Sequence, residues 1–212
     1  MNVLAISDKQ DPIIYSPQIR RKFGHLDFVI SCGDLSYFYQ EYIISSLDIP
    51  LFYVRGNHDP EEEYSEYCTI NHPRGGIDLH RKIVRYQGIS LAGVEGSIRY
   101  KKEGIFQYTQ SQMWGHILSM VPGLLFNRLV FKRSLDIFVT HASPRGIHDK
   151  EDLPHQGVNA FRWFIDVFKP KYHFHGHTHL YRLNETRETQ VGKTRVLNAY
   201  HSLETKLDLK FK

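Results

Sequence analysis

The chain has 212 residues, 41% hydrophobic and 24% charged, and a formal net charge of +4. That length suits one domain with a substantial core, and those fractions are not those of a disordered or membrane-spanning chain. With no basic run longer than Arg20-Arg21-Lys22, the mild positive charge does not call for nucleic acid.

The N-terminus runs straight into an apolar strand, Val3 to Ile6, with no secretory leader pattern. Cys32 and Cys68 are the two cysteines. Cys32 falls inside an apolar strand pattern and reads as a buried thiol, so a reducing, cytoplasmic setting is expected. From Asn2 to Val54 the pattern predicts strand, helix, strand, helix, strand, with helices over Ser16 to Phe23 and Ser36 to Leu47. Asp8, Asp34 and Asn57 then fall 26 and 23 residues apart, the repeat of βαβ units whose right-handed crossovers set successive loop starts side by side. Residues Pro60 to Asp78 read as an irregular excursion, and Ile83 to Tyr86 with Ile89 to Val94 as a hairpin about Gln87-Gly88.

Thr109 to Phe131 is strongly apolar but interrupted by Pro122-Gly123, which predicts two helices within a helical excursion spanning about residues 100–132. Their apolar faces cover a sheet or meet a second copy of the chain or a membrane surface. Beyond it come a polar loop from Pro144 to Gly157, a helix over Val158 to Phe168, a strand leading to His177, and β segments at Arg195 to Tyr200 and Ser202 to Phe211.

The informative feature is what ends the apolar runs. Asp8, Gly33-Asp34, Gly56-Asn57-His58-Asp59, Thr140-His141 and Gly176-His177-Thr178-His179 each follow one. In open α/β sheets the ligand crevice lies beyond the carboxyl ends of the strands, so these side chains can converge across the sequence. Carboxylate, imidazole and carboxamide donors suit Mn, Fe, Zn, Co or Ni better than Cu(I) or Ca. A carboxylate can bridge two cations, and Asp34, on the central strand of the first repeat, is placed for it. Of thirteen histidines, His25, His72, His80, His116 and His201 lack such a pattern and read as surface or packing residues.

The ordered series resembles the calcineurin-like metallophosphoesterase family over residues 8–179. The resemblance implies an α/β fold, a four-layer α/β/β/α sandwich of the metallo-dependent phosphatase type in a single domain, 1–212. It implies two divalent metal ions, with Mn, Fe or Zn foremost: one held by Asp8, Asp34 and His179, the other by Asp34, Asn57, His141 and His177. His58, hydrogen-bonded to Asp59, would steady the transferring phosphoryl group and protonate the departing oxygen while a hydroxide shared by the metals attacks phosphorus. The expected substrate is a phosphorylated small molecule or a phosphodiester. The alternatives are a scaffold or binding module without turnover, and a nuclease, the latter not favoured because no aromatic platform is visible.

One departure from the family pattern stands in the first motif, which reads Asp8-Lys9-Gln10 where the family has Asp-x-His. Gln10 ligates through its amide oxygen, Asp11 reaches in instead, or a water fills the gap. The loop after His141 supplies Arg145, His148 and His155 as candidate substrate contacts, with Asp149 or Asp152 to orient an imidazole. The alternative is a solvated loop held by its own ion pairs. Arg55, before Gly56, is a phosphate contact or pairs with a nearby carboxylate. Gly96-Ser97-Ile98-Arg99-Tyr100, followed by Tyr108-Thr109, also resembles a subset of the family.

Overall fold

The computed structural model describes residues 1–182 and 185–209. Strands β1 (Asn2–Ser7), β2 (Phe28–Ser31) and β3 (Leu51–Tyr53) alternate with helices α1 (Ile19–Phe23) and α2 (Tyr37–Leu47). The short strands β4 (Glu63–Tyr64), β5 (Thr69–Ile70) and β6 (Ile77–Asp78) follow, then the hairpin β7 (Ile83–Tyr86) and β8 (Ile89–Val94). Next come β9 (Ser97–Ile98), β10 (Gln107–Tyr108), α3 (Gln110–Phe131), β11 (Ile137–Thr140), a 3-10 turn at Leu153–His155 and α4 (Asn159–Phe168). The chain closes with β12 (Tyr172–His175), β13 (Glu188–Val191), β14 (Thr194–Asn198) and β15 (His201–Lys206).

Two large sheets result, of order β15-β1-β2-β3-β6 and β13-β14-β12-β11-β8-β7, beside the two-stranded pairs β4-β5 and β9-β10. Within the first, β1, β2 and β3 are parallel neighbours; within the second, β8, β11, β12 and β14 are. The antiparallel pairings lie at edges, where β15 joins β1, β13 joins β14 and β7 joins β8.

The apolar runs are continuous because both faces of each sheet are covered. Val3, Ala5, Phe28, Ile30, Phe52 and Val54 meet Leu91, Ile137, Val139, Tyr172, Phe174 and Leu197 in the core between the sheets. Their sequence neighbours face outward: Leu4, Ile6 and Val29 pack with Ile19, Phe23, Tyr39 and Ile43 from α1 and α2. Ala92, Val94 and Phe138 pack against Met113, Ile117, Met120 and Leu124 of α3 and Phe161, Phe164 and Phe168 of α4. Helices, sheet, sheet, helices make the four-layer α/β sandwich.

Three local expectations are corrected. Residues 110–131 form one helix rather than two, with Pro122 inside it. Its buried residues Met113, Ile117, Met120, Leu124 and Asn127 recur every three or four positions straight through the proline, so packing on the sheet holds the turn that Pro122 weakens. Thr109 and Gln112 form a reciprocal capping box at its start. The start of the excursion is also not helical, since β10 lies within it and pairs with β9, which ends at Ile98 just before it. Finally, β15 stops at Lys206 instead of reaching Phe211, because the pairing with β1 is exhausted at Asn2; Lys210 and Phe211 lie outside the described residues.

Candidate metal centre

The loops that leave β1, β2 and β3 meet those that leave β11 and β12. Asp8 N–H donates to Gly33 O (3.1 Å), and Gly176 N–H to His141 O (2.9 Å). Asp8 (φ 65°), Asp34 (φ 57°) and His177 (φ 64°) all occupy the left-handed region, a cost of order 1–3 kcal/mol each that persists only where the surroundings fix it. Two glycines allow the close approach. A Cβ on Gly56 would come 2.0 Å from Asp34 Oδ1, and one on Gly176 would come 1.8 Å from Ser7 Oγ and 2.7 Å from Asp8 Oδ2.

Among the described residues, Asp34, His141 and His177 place one donor atom each within 4.8 Å of one another. His141 Nε2 lies 3.3 Å from Asp34 Oδ2 and 3.0 Å from Asn57 Oδ1. The tautomers follow from the outer partners, since a carbonyl only accepts. His141 Nδ1 donates to Cys32 O (2.7 Å), which turns Nε2 inward; His177 Nε2 donates to Pro154 O (2.7 Å), which leaves Nδ1 as its lone pair. Burial opposes a charge on His141, but the carboxylates of Asp34 and Asp8 and the Cys32 carbonyl outweigh it and lift the pKa to about 9. Burial likewise works against ionised Asp34, yet His141 and the His58 N–H (2.7 Å) hold it at about 2. A cation on His141 Nε2 therefore displaces a proton. This anionic, aromatic-walled donor set fits one divalent metal.

The other implied site is less complete. Asp8 accepts the His177 N–H (3.1 and 3.0 Å), and its Oδ1 lies 3.6 Å from His179 Nε2. His179 is steadied by Tyr181 OH on Nδ1 (2.6 Å) and by stacking on Tyr200. Gln10 is exposed. Asp11, buried, is engaged elsewhere: it accepts from Ile13 N–H (2.9 Å) and Ser202 Oγ (3.1 Å), with His201 Nε2 3.6 Å away.

His58 is exposed beside the cluster. Its implied partner is corrected: Asp59 accepts from the N–H groups of Leu35 (2.9 Å) and Gly56 (2.7 Å), clamping the loop, and the His58 ring instead meets Tyr100 OH at 3.3 Å. Burial, aided by Asp34, raises Asp59 to about 7.

Of the candidate substrate contacts, His155 lies nearest the cluster. Its ring lies 5.3 Å from that of His177, tilted by 42°, and Nδ1 is 2.5 Å from Asp152 Oδ2. Arg145 follows the ion-pair alternative with Asp149 (3.1 Å) and Glu151 (3.3 Å). His148 turns inward to His175 Nε2 and Thr189 Oγ1, both 2.8 Å away. Arg55 donates to Asn71 O (2.9 Å) and lies 3.6 Å from Glu95. Sequence reasoning assigned no role to Tyr100, Tyr181 or Tyr200.

Residues 1–181 match the sequence profile of the family described as Calcineurin-like phosphoesterase. The chain belongs to that family. A relative, the uncharacterized protein MJ1162 of Methanocaldococcus jannaschii, is 23% identical over 225 residues, covering 99% of this chain and 94% of that one. TT1561 of Thermus thermophilus shares the fold with a TM-score of 0.59 at 16% identity, over 94% of this chain and 89% of that one. Vacuolar Protein Sorting 29 from Cryptosporidium parvum aligns with a TM-score of 0.43 at 14% identity, over 93% and 72%.

Proposed function

We propose that the chain is a metal-dependent phosphoester hydrolase acting on a phosphomonoester or phosphodiester. The observation that carries this is the convergence of Asp34, His141 and His177, with Asn57 against His141 and an exposed imidazole, His58, next to them. Asp34, Asn57, His141 and His177 would hold one cation, and Asp8, Asp34 and His179, with Gln10, a second and weaker one. Divalent Mn, Fe or Zn there would supply Lewis acidity to the phosphoryl oxygens and lower the pKa of a water. His58 donates to the phosphoryl group as charge develops and passes its proton to the departing oxygen. His155, oriented by Asp152, borders the crevice beside His177 and is the substrate contact best placed on that side.

A second reading is favoured by a specific observation: Asp8 and His179 form only a pair, and Gln10 replaces an imidazole. That suits a metal-binding module without turnover. Both readings fit a protein of a reducing compartment, with Cys32 and Cys68 as free thiols. Among the described residues no helix is long and apolar enough to cross a membrane. The outward face of α3 would pair with a second copy of the chain.

Purified protein loaded with Mn is expected to release p-nitrophenol from p-nitrophenyl phosphate or its bis ester, and His58→Ala to lower the rate at least about 100-fold. An oligonucleotide in the same panel tests the nuclease alternative. Silence on every substrate, with Mn binding shown by calorimetry, transfers the assignment to the binding module.

A further inference from the structure

Tyr100 lies outside every ligand motif, yet its hydroxyl touches two of the residues on which the proposed chemistry rests. Asn57 Nδ2 donates to it at 3.1 Å, and His58 Nε2 is 3.3 Å away. Its loop is built to hold it there. Gln107, 3% exposed, takes the backbone N–H groups of Tyr100 (3.2 Å) and Lys101 (3.0 Å) on its Oε1. Arg99 grips the Gln107 carbonyl through Nε (3.1 Å) and Nη2 (3.0 Å). Gly104 lets the loop close on that amide, since a Cβ there would come 2.2 Å from Gln107 Cδ. The stem is tied to both halves of the metal centre, with Gly96 N–H on Arg55 O (2.8 Å) and Ala142 N–H on Gly96 O (3.3 Å).

We propose that Tyr100 is a positioning residue, whose hydroxyl fixes the Asn57 amide with its oxygen toward the metal cluster and holds the His58 ring over that cluster. This rests on the roles given to Asn57 and His58 above. An asparagine amide has a ligating end and a non-ligating end, and an acceptor on the outer side decides which faces inward. Tyr100 is that acceptor, and Asn57 Oδ1 accordingly faces His141 Nε2 at 3.0 Å. The oxygen has a second lone pair and one proton left for His58, so both contacts are made at once.

Tyr100→Phe removes this one oxygen from a half-buried ring and leaves the fold intact, as unchanged thermal unfolding will register. Mn affinity measured by calorimetry is expected to weaken about tenfold, the lower end for an outer-sphere partner of a metal site. Where turnover is measurable, kcat falls by a similar factor while KM moves less than about twofold, since the hydroxyl acts on the site rather than on substrate binding. Unchanged Mn affinity in Tyr100→Phe overturns the proposal, whatever the rate does. Weakened affinity in a protein whose native form hydrolyses nothing leaves the proposal standing and removes the hydrolase reading instead.

Discussion

At the scale of single residues, the cluster of Asp34, His141 and His177 was legible in the sequence because each of these residues stands where an apolar run stops. Asp8, Asp34 and His177 are recognisable by position, and their left-handed backbones are the geometric form of that abrupt stop. What was not legible is the outer ring of partners. The carbonyls of Cys32 and Pro154 set the tautomers of His141 and His177, and a carbonyl has the same chemistry in every residue, so no side-chain pattern announces it. Tyr100 was visible only as part of a longer resemblance, because its place over His58 depends on how the loop to Gln107 closes. Asp59 was assigned to His58 and instead holds the backbone of Leu35 and Gly56: adjacency in a motif did not mean contact in space. The proposed second site is where chemistry at one position decides most. Gln10→His restores the imidazole of the family's Asp-x-His pattern, and metal content after dialysis is expected to rise toward two ions per chain, with at least about tenfold tighter retention of the second. Equal content in the two proteins would count against a first-site role for residue 10.

At the scale of elements, strands were read well because the runs are continuous and bounded, whereas α3 was misread at Pro122. The lost donor and the steric penalty were weighed as a break, but sheet packing along the whole length of the helix outweighs them. The same helix carries apolar side chains on its outer side: Leu118 (53% exposed), Leu125 (48%), Phe126 (60%) and Leu129 (74%). Leu118, Pro122, Leu125 and Leu129 follow a four-three-four spacing, which places them along one stripe. A helix apolar on both sides is ordinarily covered on both, and the stripe has no charge to repel an identical one facing it. These side chains offer on the order of 500 Å² per copy, so two copies approach the lower range of stable interfaces. Light scattering across a dilution series is expected to give a dimer for the native chain and a monomer for Leu125→Glu combined with Leu129→Glu. A native monomer at about 100 µM would rule this pairing out.

At the scale of the whole molecule, βαβ spacing made the first sheet predictable, since short crossovers leave few arrangements for β1, β2 and β3. The second sheet was not predictable in the same way: β8 and β11 are neighbours only across the α3 excursion, a long-range pairing with no local signal. The sandwich also holds several imidazoles in neutral form, His173 fully buried and His80, His116 and His148 half-buried. His80, His116 and His148 are pushed down to about 4 and His173 to about 3, burial being the main cause in each. Because these pKa values lie below the unfolded value of about 6.5, the unfolded chain binds the extra protons first. Their contribution to stability is complete above about pH 6.5 and is lost as pH falls toward 4. Denaturant unfolding across that interval is expected to show stability falling with a slope of more than one proton, and a flat profile would contradict the burial assigned to these rings.

The division of the donors between the sheets has a mechanical consequence. Asp8, Asp34 and Asn57 hang from one sheet, His141 and His177 from the other, so a cation shared between the two groups would work as a clasp on the open rim of the sandwich. Its grip would tie Asp34 to His177, segments far apart along the chain, and any free energy of binding that favours the folded chain would become resistance to the two layers peeling apart.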